Sequence, residues 1–167
     1  MAGISRRSWM IVTPVVLVVI AAAVILGIKL STPIVPGAIK KQVSIVILYP
    51  SSDGFKVEAG SWKYNSSLGL LSYLVSRGNT KLTISEQSSP PEFSEVPGTL
   101  DRLTSHLNTY SDFDTIQGHA YLTHPIELKG GQSALMNTKG TLLFAKPNHA
   151  LSDSEWRDFF NSLDIIR

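Results

Sequence analysis

The feature that most constrains this chain is a run of 21 residues without a charged side chain, from Ser8 to Ile28. As an α-helix rising about 1.5 Å per residue, the run would be about 30 Å long, the thickness of a bilayer's hydrocarbon core. Its central part, Val15 to Leu26, contains only Leu, Val, Ile and Ala, so it lacks the polar stripe of a soluble helix. The run therefore predicts a transmembrane helix, whose partner is the lipid bilayer.

A cleavable signal peptide is the alternative interpretation of this run. Signal peptides have apolar regions of about 7–15 residues that end in a small-residue cleavage site. Here the triplet Ala21-Ala22-Ala23 is followed by further apolar residues, Val24-Ile25-Leu26. The length of the run and the position of the triplet favour an uncleaved anchor.

Charges beside the run bear on its orientation. Arg6 and Arg7 precede it and Lys29 follows it, and together with the short N-terminal tail they favour a cytoplasmic N-terminus. We expect a tail and transmembrane anchor over 1–29, a Pro-containing linker over 30–41 and a domain over 42–167. This predicts a single-pass protein of the cell membrane whose C-terminal domain lies outside the cytoplasm. The alternative for the linker is the start of an edge strand.

Composition excludes several classes of function. The residues after Lys29 contain 12 of the 15 Lys and Arg and all 13 Asp and Glu, so this part is nearly neutral. Binding of nucleic acid is not expected, because it needs a clustered basic face. The chain has no cysteine, which excludes a disulfide scaffold, a thiolate metal site and a cysteine nucleophile.

Alternating apolar residues and turn signals predict antiparallel strands after the linker. In the segment after the turn Arg77-Gly78-Asn79, Leu82 and Ile84 fall on one face of a half-buried strand. The predicted strands are 42–49, 70–76, 80–85, 113–117, 119–123, 133–136 and 141–145, with short pieces at 55–57 and 62–64.

Two helices are predicted among these strands. Leu100, Leu103 and Leu107 recur at helical spacing and predict a helix over 99–108. Ser152 and Glu155 have the spacing of a capping box. An apolar stripe follows this box, made of Trp156, Phe159, Phe160 and Leu163. We expect an α+β fold, in which an N-terminal transmembrane helix precedes an antiparallel-sheet domain with two helices packed on one face.

Three segments together resemble an uncharacterised group of single-pass membrane proteins from candidate-phylum bacteria, especially Saccharibacteria. They are Lys41-Gln42-Val43-Ser44 running into Tyr49-Pro50, then Gly140 to Ala145, then Leu151 to Ser162. The resemblance implies a location at the cell surface. It supplies no catalytic or binding residue.

Familiar catalytic motifs are missing from the sequence, including Ser-x-x-Lys, Gly-x-Ser-x-Gly, phosphate-binding glycine loops and His-Glu-x-x-His. Asp112 and Asp114 are two apart on a predicted strand, so they share a face and could act as paired carboxylates. A solvated strand start is the favoured interpretation. His119 and His124 are predicted on opposite faces, and no shared metal site is expected between them or with His106 and His149.

An aromatic group and a sequon complete the candidates. Trp62, Tyr64 and Tyr73 could line a groove for a glycan or peptide, although packing in the core is favoured. Asn65-Ser66-Ser67 fits a glycosylation acceptor, a pattern that often occurs by chance. We therefore assign no catalytic, metal or cofactor-binding residue.

Two hypotheses for function remain open. The favoured one is a noncatalytic, membrane-anchored module that binds a protein or glycan of the bacterial envelope. The alternative is an envelope hydrolase whose site uses Asp112, Asp114 or a histidine, which requires these groups to converge.

Overall fold

Strands with one apolar face build an eight-stranded antiparallel sheet in a computed structural model, which describes residues 35–52, 54–124 and 131–167. The strands are β1 (Ile47–Pro50), β2 (Lys56–Val57), β3 (Lys63–Asn65), β4 (Leu70–Arg77), β5 (Thr80–Ser88), β6 (Thr109–Asp114), β7 (His119–Thr123), β8 (Ser133–Thr138), β9 (Thr141–Pro147) and β10 (Leu163–Ile166). The strand order in the main sheet is β2-β4-β5-β9-β8-β7-β6, and β3 pairs with β4 beside β2. A separate antiparallel pair joins β1 to β10.

Four helices accompany these strands in the described part of the chain. They are α1 (Gly37–Gln42), α2 (Glu92–Glu95), α3 (Thr99–His106) and α4 (Asp153–Asn161). The prediction of an α+β fold with an antiparallel sheet is confirmed. The predicted number of two helices is too low, because the short helices α1 and α2 lack the repeating apolar stripe that identifies a helix in sequence.

The main core lies on the face of the sheet that meets α4. Leu82 and Ile84 of β5 point into it and are fully buried, as their alternation predicted. The capping box of α4 is confirmed, since the side chain of Ser152 accepts a hydrogen bond from the main-chain N–H of Glu155 and the Glu155 carboxylate accepts one from the main-chain N–H of Ser152. The core aromatics Trp156, Phe159 and Phe160 follow on the helix, all fully buried.

The predicted apolar stripe of the C-terminal helix included Leu163, but the helix ends before this residue. Helix α4 ends at Asn161, and Leu163 begins β10 instead of a further helical turn. Leu163 is nevertheless buried in the same core. Pairing of Leu163 with Pro50 across β1 and β10 determines this change of structure, and such long-range pairing leaves no local sequence signal.

The second face of the sheet is also covered, which differs from the expectation of helices on one face. Leu135 and Leu142 point away from the α4 core and are still buried. The connection from β5 to β6 contains α2 and α3. It crosses three strands, because β9, β8 and β7 lie between β5 and β6 in the sheet. Tyr121 lies on this second face. Its burial and the negative charges of Asp101 in α3 and Asp112 raise the pKa of its hydroxyl.

The start of the described chain differs from the predicted linker. The predicted spacer covered residues 30–41, and the predicted domain began at residue 42. The described part of this segment instead belongs to the compact unit 35–167, in which Val35 joins the core and Gly37–Gln42 form α1. The two prolines of the segment, Pro33 and Pro36, predicted an extended spacer. Pro36 instead directly precedes α1, and proline is tolerated at the start of a helix.

Among the described residues, no helix is both long and apolar enough to cross a bilayer. The predicted transmembrane run, Ser8 to Ile28, and the signal-peptide alternative lie outside the described residues.

Candidate functional site

The strand register brings three of the sequence candidates together on the sheet surface. Nδ1 of His119 lies 2.7 Å from Oδ1 of Asp114, and its Nε2 lies 3.3 Å from Oδ1 of Asp112. Pairing of β6 with β7 sets His119 opposite Asp114 and Tyr121 opposite Asp112, so both carboxylates reach one imidazole. The prediction that Asp112 and Asp114 share a face is confirmed.

This acidic cluster is open to solvent. The side chain of Asp114 is 93% exposed, and those of Asp112 and His119 are 58% and 39% exposed. Ion pairs of such exposed groups are screened by water and contribute about 0–1 kcal/mol each. Both imidazole nitrogens face carboxylates, so neither is directed at a nucleophile that it could activate.

The other histidines make separate contacts. His124 stacks on Tyr110 with ring centroids 4.3 Å apart, and Nδ1 of His149 lies 3.0 Å from Oδ1 of Asn148. His106 is exposed on α3. Within the described ranges, no group of three or more His, Cys, Asp or Glu side chains is arranged to hold a metal ion.

The aromatic candidates lie at the opposite edge of the sheet and contact the core. Tyr73 is 1% exposed, and its ring centroid is 4.2 Å from that of Trp62. Trp62 and Tyr64 are half-buried against the same core. Their predicted packing role is confirmed. The Asn65 side chain of the sequon accepts hydrogen bonds from the main-chain N–H groups of Ser67 and Leu68, which closes the turn before β4.

A cleft of about 410 Å³ lies beside these aromatics, where the edge of the sheet is interrupted. β2 and β3 pair with different halves of β4, and the loop between them passes Leu74 without forming a strand. The Ser61 side chain accepts a hydrogen bond from the Leu74 N–H at 3.1 Å, and the Glu58 N–H donates to the Leu74 carbonyl at 2.8 Å. The main chain of β4 is therefore satisfied at the floor of the cleft.

The cleft wall combines apolar surface with polar side chains, among which both signs of charge occur. Its polar side chains are Glu58, Ser61, Lys63, Ser72 and Thr83. The Glu58 carboxylate also pairs with Nζ of Lys81 at 3.1 Å, which fixes its direction. The wall thus offers hydrogen-bond donors and acceptors of several types, with opposite charges near one another.

The most unusual polar group, Glu86, was not among the residues that the sequence patterns predicted to form a site. This residue is fully buried in β5, and Oε1 lies 2.8 Å from the Tyr73 hydroxyl. Each carboxyl oxygen lies 3.3 Å from the main-chain N of Leu48 in β1. The predicted strand stopped at Ser85, but continuing the alternation of Leu82 and Ile84 by one step places Glu86 on the core face.

Burial dominates the chemistry of this carboxyl group. Loss of hydration raises the pKa of Glu86 to about 8, against the opposing effect of its hydrogen bonds with Tyr73 and the Leu48 N–H. Burial and the adjacent Glu86 likewise raise the pKa of Tyr73 well above its usual 10. Glu86 is therefore mainly uncharged at neutral pH.

No protein-family model, curated protein or solved structure matches the chain. The resemblance to the Saccharibacteria-like membrane proteins consequently stays a prediction.

Proposed function

We propose that the protein is a membrane-anchored, noncatalytic binding domain outside the cytoplasm, and that the cleft beside Ser61 binds a glycan of the envelope. The anchor rests on the 21-residue uncharged run, Ser8 to Ile28. The single observation behind the binding site is the cleft at the interrupted edge of the sheet, whose wall carries hydroxyl, ammonium and carboxylate side chains. The location and the binding site are separate steps with separate tests.

The geometry of the cleft favours a glycan over an extended peptide. A peptide that adds a strand to a sheet needs free main-chain groups at the edge. At this place the N–H and C=O of Leu74 already bond with Ser61 and Glu58. A ligand must therefore be recognised by side chains, and hydroxyl, ammonium and carboxylate groups suit the many hydroxyls of a sugar.

The binding step can be tested with two matched lysine variants of the full chain in nanodiscs. Lys63 lines the cleft, whereas Lys56 is an exposed lysine on the neighbouring short strand and does not line it. The probes are oligomers of β-1,4-linked N-acetylglucosamine, titrated by calorimetry. We expect K63Q to weaken binding about tenfold, or about 1.4 kcal/mol, and K56Q to leave it unchanged. Absence of binding by the wild type, or equal losses in both variants, would contradict the glycan site.

The anchor is tested by mass spectrometry of the mature protein from membranes. An intact N-terminus is expected, and a mature start near Val24 would favour the signal peptide instead. Protease added to cells whose cytoplasmic membrane is intact should digest the C-terminal domain if this domain lies outside the cytoplasm.

A hydrolase that uses the Asp112–His119–Asp114 cluster is the alternative. Its support is the convergence of these three side chains. Loss of a measured glycan-cleaving activity in H119Q, with K63Q still active, would favour this alternative over the binding module.

A further inference from the structure

The contacts between Glu86, Tyr73 and Leu48 form a closed ring that joins the two sheets. Tyr73 belongs to β4 and Glu86 to β5, while Leu48 belongs to β1 of the separate strand pair. The Tyr73 hydroxyl contacts both the Leu48 carbonyl and Oε1 of Glu86, and the Leu48 N–H points at the carboxyl oxygens. These side-chain bonds attach the middle of β1 to the main sheet.

The number of hydrogens available in this ring determines the protonation state of the Glu86 carboxyl group. The Leu48 carbonyl can only accept, so the single hydrogen of the Tyr73 hydroxyl is directed to it. The contact between the Tyr73 oxygen and Oε1 of Glu86 then needs a hydrogen from Glu86. The Leu48 N–H donates to the carboxyl group and completes the ring. Every polar atom is satisfied only when Glu86 is protonated.

We propose that Glu86, Tyr73 and the main chain of Leu48 form a proton-dependent latch, which is closed when Glu86 is protonated and releases the β1–β10 pair when Glu86 loses its proton to solvent. In the ionised state the Leu48 carbonyl and the Glu86 carboxylate both need the one hydrogen of the Tyr73 hydroxyl. Either the Leu48 carbonyl loses its donor or the carboxylate keeps only the Leu48 N–H, and a buried charge without a compensating cation is strongly unfavourable.

The surroundings of Glu86 offer no compensating cation among the residues that the structure describes. Its neighbours across the sheet are Leu71 of β4 and Leu143 of β9. Charged groups on the adjacent elements have other partners or face solvent. Arg77 pairs with Asp158, Lys81 pairs with Glu58, and Arg157 lies over the Phe113 ring. The Glu155 carboxylate accepts a hydrogen bond from Ser152, Asp164 contributes to the raised pKa of Tyr49, and Lys146 is exposed. The pKa of about 8 places the ionisation of Glu86 in the closed latch just above neutral pH.

Tyr73 also lines the candidate cleft, but its side chain lies on the core face with Ile84, opposite the cleft side chains of Ser72 and Thr83. The proposal does not depend on glycan binding, because its readouts are the exchange of the β1 amides and the protonation of Glu86.

Hydrogen exchange with mass spectrometry on the full chain tests the latch between pH 6 and 10. After correction for the intrinsic pH dependence of exchange, protection of the amides of residues 47–49 should fall about tenfold for each pH unit up to about 8 and level off above it. In E86Q the amide can donate to Tyr73 and accept from Leu48 without titrating, so protection should stay constant. E95Q removes an exposed carboxylate of α2, away from the cleft and the latch, and should behave like the wild type. Equal pH profiles for the wild type and E86Q would overturn the proposal.

Infrared spectroscopy of the wild type provides a measurement that does not depend on folding of the variant. The carbonyl band of a protonated carboxyl group should be present at pH 7, where ordinary Asp and Glu side chains are ionised, and should disappear as the pH rises through about 8. If the folded protein lacks this band at pH 7, Glu86 is already ionised in the closed structure and the latch is excluded.

Discussion

The Tyr73 hydroxyl oxygen lies 2.8 Å from Oε1 of Glu86 in the core between the β1–β10 pair and the main sheet. Both side chains are almost completely inaccessible, at 1% and 0% exposure. A carboxyl group in this place makes the free energy of unfolding depend on pH, because its ionisation is less favourable in the native core than in water.

Stability should therefore decrease as the pH rises from about 5 to about 8. In the unfolded chain Glu86 titrates near its ordinary value of 4.5, whereas burial raises its pKa to about 8 in the native state. Between these values the native state holds the proton and the unfolded state has released it. The free energy of unfolding then falls by up to about 1.4 kcal/mol per pH unit from this group. Denaturant melts of the wild type minus those of E86Q should show this slope, and a flat difference would contradict it.

Truncation of a core aromatic should cost far more than removal of the helix cap. Phe159 is fully buried and its ring packs edge-on against Phe55 and Phe160, so F159A should lower the free energy of unfolding by about 3–5 kcal/mol. S152A removes one capping hydrogen bond at an exposed helix end and should cost about 1 kcal/mol. Urea melts of both variants decide the order, and equal effects would contradict the tight packing of Phe159.

The domain should fold without the N-terminal segment, and it should need residues 35–42 for full stability. Val35 is 4% exposed within the core cluster, and Ile39 of α1 packs against that cluster. Burial of such side chains contributes about 1.5–3 kcal/mol each. A fragment 35–167 should melt cooperatively by circular dichroism, with a midpoint above that of a fragment 43–167. Equal midpoints would show that α1 contributes nothing to the core.

Loss of the exposed imidazole should have little effect on folding. H119Q removes both contacts with Asp112 and Asp114, but these side chains are well hydrated, so the free energy of unfolding should change by less than about 1 kcal/mol. Melts at low and high salt provide the measurement. A loss as large as that of F159A would assign the acidic cluster a structural role that its exposure does not predict.

Local patterns were sufficient wherever neighbours in sequence make the decisive contacts. The alternation around Leu82 and Ile84, the turn at Gly78 and the capping box at Ser152 all predicted the structure that forms. In each case the relevant hydrogen bonds or faces involve residues only a few positions apart. Gly78 illustrates this point, because its φ of +57° is a conformation that glycine adopts without steric cost.

The amino-acid sequence by itself determined the uncharged run from Ser8 to Ile28, the α+β class, the antiparallel strands and the capped C-terminal helix, because these depend on composition and on short periodic patterns. Only the tertiary structure decided that Leu163 begins a strand, that Asp112 and Asp114 meet His119, and that Glu86 closes a ring with Tyr73 and Leu48. The physical reason is that burial and partnership depend on distant segments. Leu48 and Glu86 are 38 residues apart, and no local pattern records which strand will cover a carboxyl group in the core.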